Sequence, residues 1–209
     1  MLSTKELAHK YKGTTGFSFP DFHCNPAETL LVLGQSGVGK TTLLHILAGI
    51  LKPAKGEVLI NDTSLYKQSS NALDTFRGQN IGLVFQKPHF VNAISARENL
   101  ILAQSMANRP IDKGRIDGLM DQLNISNRAT AKTYRMSQGE QQRLSIARAI
   151  VNNPKLILAD EPTSALDDNN CNEVVNLLKH QAESVNAALV IVTHDNRLKA
   201  LFPNQIELN

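Results

Sequence analysis

Short runs of apolar residues recur along the chain, and each run ends in polar residues. Four of these runs have the length of a buried strand rather than that of a typical helix. They cover residues 29–33, 81–85, 156–159 and 188–193. Stretches with apolar residues at helical spacing lie between them. This alternation predicts an α/β protein with a parallel sheet that is covered on both faces.

Further strands are indicated near the two ends of the chain. Residues 17–22 alternate apolar and polar positions, which predicts a strand or hairpin arm with one buried face. Residues 56–62 predict a strand that leads into an Asn-Asp turn, and residues 205–208 predict a terminal edge strand. We therefore expect an N-terminal antiparallel β subdomain beside the parallel sheet.

Residues 89–136 carry helix signals instead of a strand pattern. Ser95 and Glu98 have the spacing of a capping box, which predicts a helix through about residue 106. Pro110 would end that helix, and a second helix should follow at about 112–123. A third should begin within residues 136–143, where apolar residues again recur at helical spacing.

These patterns predict a single domain of 209 residues. Residues 1–86 and 149–209 would form the α/β core. Residues 87–148 would form a helical subdomain inserted into it.

A phosphate-binding loop follows the first apolar run. Residues 34–42 read GQSGVGKTT, with a strand before them and a helix after them. Glycines allow the backbone to approach an anion closely, and the helix N-terminus favours negative charge. Lys40 would reach the β- and γ-phosphates, and the Thr41 hydroxyl would bind Mg²⁺. The predicted nucleotide-binding residues of this loop are Gly34, Gln35, Ser36, Gly37, Val38, Gly39, Lys40, Thr41 and Thr42.

Polar residues end the other predicted strands. Gln86, Asp160 with Glu161, and His194 each follow an apolar run. The carboxyl ends of parallel strands meet at one edge of a sheet, so these residues can converge on one nucleotide. Asp160 suits Mg²⁺, whereas Glu161 is placed to polarise a water molecule that attacks the γ-phosphate. His194 could donate a hydrogen bond to that phosphate, although a single histidine at a strand end is usually structural.

Ser137-Gln138-Gly139-Glu140 has two interpretations. It fits a capping box, which is a purely structural feature. A serine and a glycine at a helix N-terminus also make an anion site. Lys40 already belongs to the first phosphate site. The second anion site would therefore have to contact a different part of a nucleotide, in a site that a second copy of the chain completes.

Composition narrows the class of protein without identifying its function. The chain is 42% hydrophobic and 20% charged, and its net charge of +3 is too small to indicate a nucleic-acid partner. Cys24 and Cys171 form no CxxC pair, so neither a disulfide scaffold nor a zinc site is expected. The N-terminus has no apolar segment of a secretory signal, and the apolar runs are too short to span a bilayer. Work at a membrane would therefore require a partner.

Together, these motifs resemble the ATP-binding cassette (ABC) ATPase family, and the resemblance covers nearly the whole chain. GQSGVGKTT resembles the Walker A motif, Gln86 falls at the Q-loop, and LILADEP resembles Walker B with its catalytic glutamate. MSQGEQQRLSIARAI resembles the family signature, although Gln138 replaces the usual first glycine and Met136 the usual leucine. Residues 164–167 resemble the D-loop and residues 193–195 the H-loop. Tyr11 stands where the family carries an aromatic residue that stacks on adenine.

The resemblance implies a P-loop ATPase that uses ATP and Mg²⁺. Its catalytic residues would be Glu161, His194 and Gln86, and its metal-binding residues Thr41, Gln86 and Asp160. Two copies would pack head to tail, with Ser137, Gly139 and Glu140 of one copy closing on the ATP of the other. Integral membrane permease subunits would dock near residues 86–108, which implies a cytoplasmic protein held at the inner face of the membrane.

Several functions share this chemistry. The leading interpretation is the ATPase subunit of a transporter, and the motif variants resemble the branch for lipoprotein release, macrolide export and cell division. The alternative is a cell-division type of ATPase that acts on a membrane partner without moving a solute. A soluble ABC ATPase acting on DNA or ribosomes usually has long coiled coils or two cassettes, which this sequence lacks. A small GTPase or nucleotide kinase would leave the signature unexplained.

Overall fold

The computed structural model of the chain describes residues 1–13, 16–163 and 168–208. The strands are β1 (Leu2–His9), β2 (Phe17–Ser18), β3 (His23–Cys24), β4 (Thr29–Gly34), β5 (Lys55–Ile60), β6 (Thr63–Ser64), β7 (Ile81–Val84), β8 (Leu156–Asp160), β9 (Ala188–Thr193) and β10 (Gln205–Leu208). The α-helices are α1 (Lys40–Leu47), α2 (Ser70–Asn80), α3 (Ala96–Met106), α4 (Lys113–Gln122), α5 (Gln138–Ile150) and α6 (Asp168–Ser184). Short 3₁₀ turns lie at Leu65–Lys67, Ser126–Arg128, Thr133–Arg135 and Asn196–Ala200.

The four predicted buried strands form one parallel sheet with the terminal edge strand. Its order is β10-β4-β9-β8-β7, and every neighbouring pair is parallel. The order differs from the order along the chain because β9 lies between β4 and β8. All five strands therefore end at the same edge, where α/β sheets bind their ligands.

Alternate residues of these strands pack into two different apolar clusters. In β4, Leu31 and Leu33 belong to one cluster, and Leu30 and Val32 to the other. The first cluster also holds apolar residues of α3 to α6, whereas the second holds residues of α1 and of the antiparallel strands. Burial on both faces explains why the strands are apolar at successive positions rather than at alternate ones.

A second sheet is antiparallel and is built around β1. Its order is β2-β1-β5-β6, and β3 also pairs with β1. The prediction of one strand over residues 17–22 was wrong, because β2 covers only Phe17–Ser18 and the next strand, β3, begins at His23. Pro20 lies between them and has no N–H group to donate to a ladder. The predicted turn after β5 is confirmed, since Asn61 and Asp62 both have left-handed backbone angles.

The helical stretch follows its predicted start signals closely. Ser95 caps α3 in a full capping box with Glu98, and α3 ends at Met106 as predicted. Asp112 caps α4 by accepting from the backbone N–H of Arg115. The predicted subdomain boundary at residue 148 falls inside α5, and the division into core and helical subdomain remains a prediction. Within the described ranges, no helix is long and apolar enough to cross a membrane.

Candidate active site

The phosphate-binding loop connects β4 to α1 at the carboxyl edge of the parallel sheet. Gly39 precedes α1 with φ 97°, and a Cβ atom there would lie 2.6 Å from the ring of Phe17. A Cβ atom at Gly34 would lie 2.7 Å from the Val38 side chain. Glycine is therefore required at both positions, and at these two points no side chain separates the loop backbone from an anion.

A cleft of about 990 Å³ opens beside this loop. It brings together most of the predicted loop residues with the ends of three other strands. Its lining includes Gly34, Gln35, Ser36, Gly37, Gly39, Lys40, Thr41, Thr42, Gln86, Glu161 and His194. Four residues that no sequence motif marks as part of the site also line it, namely Phe17, Asn196, Lys199 and Glu207. Gln86, Glu161 and His194 thus converge as the parallel strand order predicts, whereas Asp160 is not among the residues that line the cleft.

Lys40 is buried against its own loop. Its Nζ donates to the carbonyl oxygens of Gly34 at 2.9 Å and Gln35 at 3.0 Å. The same atom lies 3.8 Å from Oε1 of Glu161. The residue predicted to hold phosphate is thus paired with the residue predicted to activate water, and both lie against the cleft.

Glu161 directly follows β8 and has a left-handed backbone, with φ 46°. Its N–H donates to the carbonyl oxygen of Val192, at the end of the neighbouring β9. Its Oε1 lies 2.8 Å from Nδ1 of His194, and its Oε2 accepts a hydrogen bond of 2.9 Å from the Thr193 hydroxyl. The carboxylate is therefore held across the ends of two adjacent strands.

Asp160 is the last residue of β8 and is partly buried. Burial raises the pKa of its carboxyl group, and the charge of Glu161 raises it further. His45 and Lys40 oppose this rise in pKa. The ionised form of Asp160 is consequently less favourable here than in water, as expected for a carboxylate that would gain from a nearby cation.

Tyr11 lies beside the phosphate-binding loop, where its hydroxyl is 3.3 Å from Oγ1 of Thr42. Its ring packs edge-on against His9 with the centroids 4.6 Å apart, and 40% of the residue is exposed. Stacking of Tyr11 on adenine remains a prediction.

The segment of residues 137–140 is not part of the lining of this cleft. Ser137 caps α5 in a full capping box with Glu140, so the structural interpretation of this segment is confirmed. The Glu140 carboxylate also accepts a hydrogen bond of 2.7 Å from Arg128, which lowers its pKa together with the Ser137 backbone N–H. Ser137 and Gly139 are exposed.

A second, smaller groove of about 190 Å³ links this segment to the cleft. Gln138 and Gly139 line it together with Gln86 and Glu161, which line the larger cleft as well. Gln138, the unusual residue of the signature, is exposed in the first turn of α5. The segment predicted as a D-loop, residues 164–167, lies outside the described residues.

Comparison with known proteins decides the family. Residues 18–164, more than half of the chain, match the family described as ABC transporter. The chain belongs to the ABC transporter family. The predicted resemblance and the predicted α/β fold are therefore both confirmed, and the protein is an ATP-hydrolysing, nucleotide-binding subunit of a transporter.

Relatives of this ABC protein cover most of its length. It is 38% identical to the uncharacterized ABC transporter ATP-binding protein YvcR of Bacillus subtilis (strain 168), over 93% of this chain and 78% of that protein. It is 36% identical to the lipoprotein-releasing system ATP-binding protein LolD of Shewanella sp. (strain MR-7), over 90% and 82%. It is also 36% identical to a putative hemin import ATP-binding protein, HrtA, of Staphylococcus saprophyticus, over 90% and 86%.

Solved ABC cassettes have the same fold. A dimeric cassette in a post-hydrolysis state, bound to ADP and phosphate, superposes with a TM-score of 0.87 and is 31% identical. The match covers 100% of this chain and 94% of that one. A dimeric bacterial transporter cassette superposes with a TM-score of 0.86 at 32% identity, with the same coverage.

Proposed function

We propose that two copies of this chain enclose ATP between the phosphate cleft of one copy and the α5 N-terminus of the other. The observation that carries this proposal is the position of Ser137 and Gly139. Both are exposed, and neither lines the phosphate cleft of its own chain. A helix N-terminus with a small, open residue such as Gly139 favours an anion, and the γ-phosphate of a partner-bound ATP would supply one. The dimeric form of the similar solved cassettes supports the same arrangement.

In this proposal, each residue of the cleft has a separate role in ATP hydrolysis. Lys40 exchanges its contacts with the Gly34 and Gln35 carbonyls for the β- and γ-phosphates. Glu161 polarises the attacking water molecule, and His194 donates a hydrogen bond to the γ-phosphate. Gln86 lines both the cleft and the second groove. It can therefore contact the nucleotide on one side and the N-terminal turn of α5 on the other.

The residues present also fit a magnesium ion. The Thr41 hydroxyl, the Gln86 amide and the Asp160 carboxylate offer the hard oxygen ligands that Mg²⁺ takes. Mg²⁺ usually binds few protein ligands beside phosphate and water. In keeping with this, the described residues contain no cluster of three or more acidic, histidine or cysteine ligands. When bound, the ion would neutralise negative charge that develops on the phosphates.

Replacement of Asp160 by asparagine tests the metal site through stability as well as activity. The pKa of Asp160 is raised, so its ionised form costs stability above the ordinary aspartate pKa, and that cost disappears as pH falls. At pH 7, Asp160→Asn is therefore expected to raise the melting temperature of the nucleotide-free protein. The Mg²⁺-dependent part of ATP stabilisation should be lost, and ATPase activity should fall by about 10-fold or more.

Differential scanning fluorimetry at pH 7 and pH 4, with EDTA or with Mg²⁺-ATP, measures these changes. The two proteins should converge in melting temperature at the lower pH. An Asp160→Asn protein that keeps full Mg²⁺-dependent stabilisation by ATP would contradict the metal assignment.

We further propose that an integral membrane permease docks on residues 86–108, which would hold the chain at the cytoplasmic face of the membrane. This stretch exposes Val91, which is 45% exposed, and Met106, which is 74% exposed. Both side chains would be available to an apolar partner surface. The relatedness to LolD supports the lipoprotein-release branch for this transporter.

Charge at Val91 should therefore break the membrane complex. The backbone of Val91 is fixed by two hydrogen bonds with the buried Asn99 side chain, so Val91→Glu should alter the exposed side chain alone. We expect at least about a 10-fold loss of co-purification with an integral membrane protein from detergent extracts, because a desolvated, unpaired charge is costly. ATPase activity of the isolated chain should be unchanged.

Ile50→Glu, a similarly exposed apolar position outside this stretch, is the matched control and should co-purify normally. Equal recovery of membrane protein with Val91→Glu would refute the docking site.

A further inference from the structure

Thr193 is a fully buried hydroxyl residue at the end of β9, next to the predicted catalytic carboxylate. None of its surface is exposed, whereas its neighbour His194 has a side chain that is 64% exposed. Its Oγ1 lies 2.9 Å from Oε2 of Glu161. A buried hydroxyl that bonds a carboxylate at this position can act on catalysis through Glu161.

The Thr193 hydroxyl is the donor in this hydrogen bond, because a carboxylate oxygen only accepts. The backbone N–H of Asp195 donates to Thr193 Oγ1 at 3.0 Å. The hydroxyl therefore accepts from Asp195, and its own hydrogen is available for the Glu161 carboxylate. Thr193 is thus oriented as a donor to Oε2 of Glu161.

The two oxygens of Glu161 consequently have different surroundings. Oε2 receives the Thr193 hydroxyl and, at 3.4 Å, the His194 backbone N–H. Oε1 faces Lys40 and the His194 ring, the two groups that the proposed mechanism moves onto phosphate. When those groups leave, the bonds from the Thr193 hydroxyl and the His194 backbone remain at Oε2, and the Thr193 bond is shorter than the His194 one.

We propose that Thr193 is a positioning residue for the reaction, which anchors Oε2 of Glu161 so that Oε1 points at the attacking water. This inference rests on the proposed role of Glu161 in polarising that water. The left-handed backbone of Glu161 adds to the need for an anchor, because the chain turns away from β8 at this residue. Without the Thr193 hydroxyl, the carboxylate would sample other orientations, and fewer of them would be productive.

Thr193→Val removes the hydroxyl while it keeps the shape and the strand preference of the side chain. We expect kcat for ATP hydrolysis to fall about 10- to 100-fold, with KM and the dissociation constant for ATP changed less than about 3-fold. Thr193→Ser keeps the hydroxyl and should retain kcat within about 3-fold of the parent protein. If Thr193→Val does not fold, Thr193→Ala takes its place in the same comparison.

Thr4→Val is the matched control. Thr4 is also buried, and its hydroxyl also makes two hydrogen bonds, but both are with the backbone of Phe22, and neither residue lines the cleft. It should lose stability to a similar extent while kcat stays within about 3-fold of the parent value. A normal kcat for Thr193→Val, an equal loss for Thr193→Ser, or an equal loss for Thr4→Val would each overturn the inference.

A double variant separates this inference from the role of Glu161. In a Glu161→Gln background, Thr193→Val should cause no further loss of rate, because the two residues act as a unit. If Glu161→Gln alone hydrolyses ATP at a near-normal rate, the role of Glu161 fails, and the inference about Thr193 fails with it. If Glu161→Gln is inactive while Thr193→Val is normal, only the inference about Thr193 fails.

Discussion

Glu161→Gln is expected to keep ATP binding and to lower the rate of hydrolysis by about 100- to 10,000-fold, the range for loss of a general base. Glutamine keeps the size of the side chain and can still accept hydrogen bonds from Thr193 and His194. It carries no negative charge to draw a proton from water. ATP should therefore bind between two copies and remain intact.

Phosphate release and gel filtration in the presence of ATP measure this result. The variant should elute as a dimer with ATP and as a monomer without it. Glu57→Gln is a suitable control, because Glu57 lies on β5 and pairs with Lys67, and neither residue lines the cleft. Near-normal hydrolysis by Glu161→Gln would remove Glu161 from the catalytic role.

Two inactive variants are expected to regain activity when they are mixed. Lys40→Ala should lose ATP binding, since it removes the cation predicted to hold the β- and γ-phosphates. Ser137→Arg should bind ATP in its own cleft but fail to close on the ATP of a partner. In a mixed head-to-tail dimer, one cleft would combine an intact Lys40 with an intact Ser137.

The mixture should therefore recover up to about a quarter of the normal rate, because half of the dimers are mixed and each has one intact site. Steady-state phosphate release at several mixing ratios measures the recovery. Mixing Lys40→Ala with a Lys40→Ala/Ser137→Arg double variant is the control, and it should stay inactive. If Lys40→Ala and Ser137→Arg also stay inactive together, the ATP site is not shared between copies in this way. Tight ATP binding by Lys40→Ala alone would contradict the predicted role of the lysine.

The sequence predicts those parts of the fold in which neighbouring residues restrict the backbone to one conformation. The strand at Thr29–Gly34 is apolar at successive positions because both of its faces are buried. The capping boxes at Ser95 and Ser137 are short-range features whose partners lie three residues away. Gly34 and Gly39 of the phosphate-binding loop are required by close contacts, such as that of Gly39 with the ring of Phe17.

The remaining features depend on which strands become neighbours. The strand Leu2–His9 has polar residues in the middle of its sequence, and its pairing register shifts between Lys5 and Ala8. No simple alternation of apolar and polar residues therefore marks it. The helix Ser70–Asn80 buries no residue completely, so no buried apolar stripe marks it in the sequence. The contact between Thr193 and Glu161 exists only because β8 and β9 are adjacent, and no spacing in the sequence encodes that adjacency.

The left-handed backbone of Glu161 has a consequence for how this protein can change over generations. A residue with a side chain is strained by about 1 kcal/mol or more in that conformation, whereas glycine adopts it freely. Position 161 is therefore one where the substitution most favourable to folding would also delete the carboxylate. Selection for thermal stability alone would favour glycine at this position and would yield a protein without ATPase activity. A screen that aims to stabilise the cassette should therefore leave Glu161 unchanged.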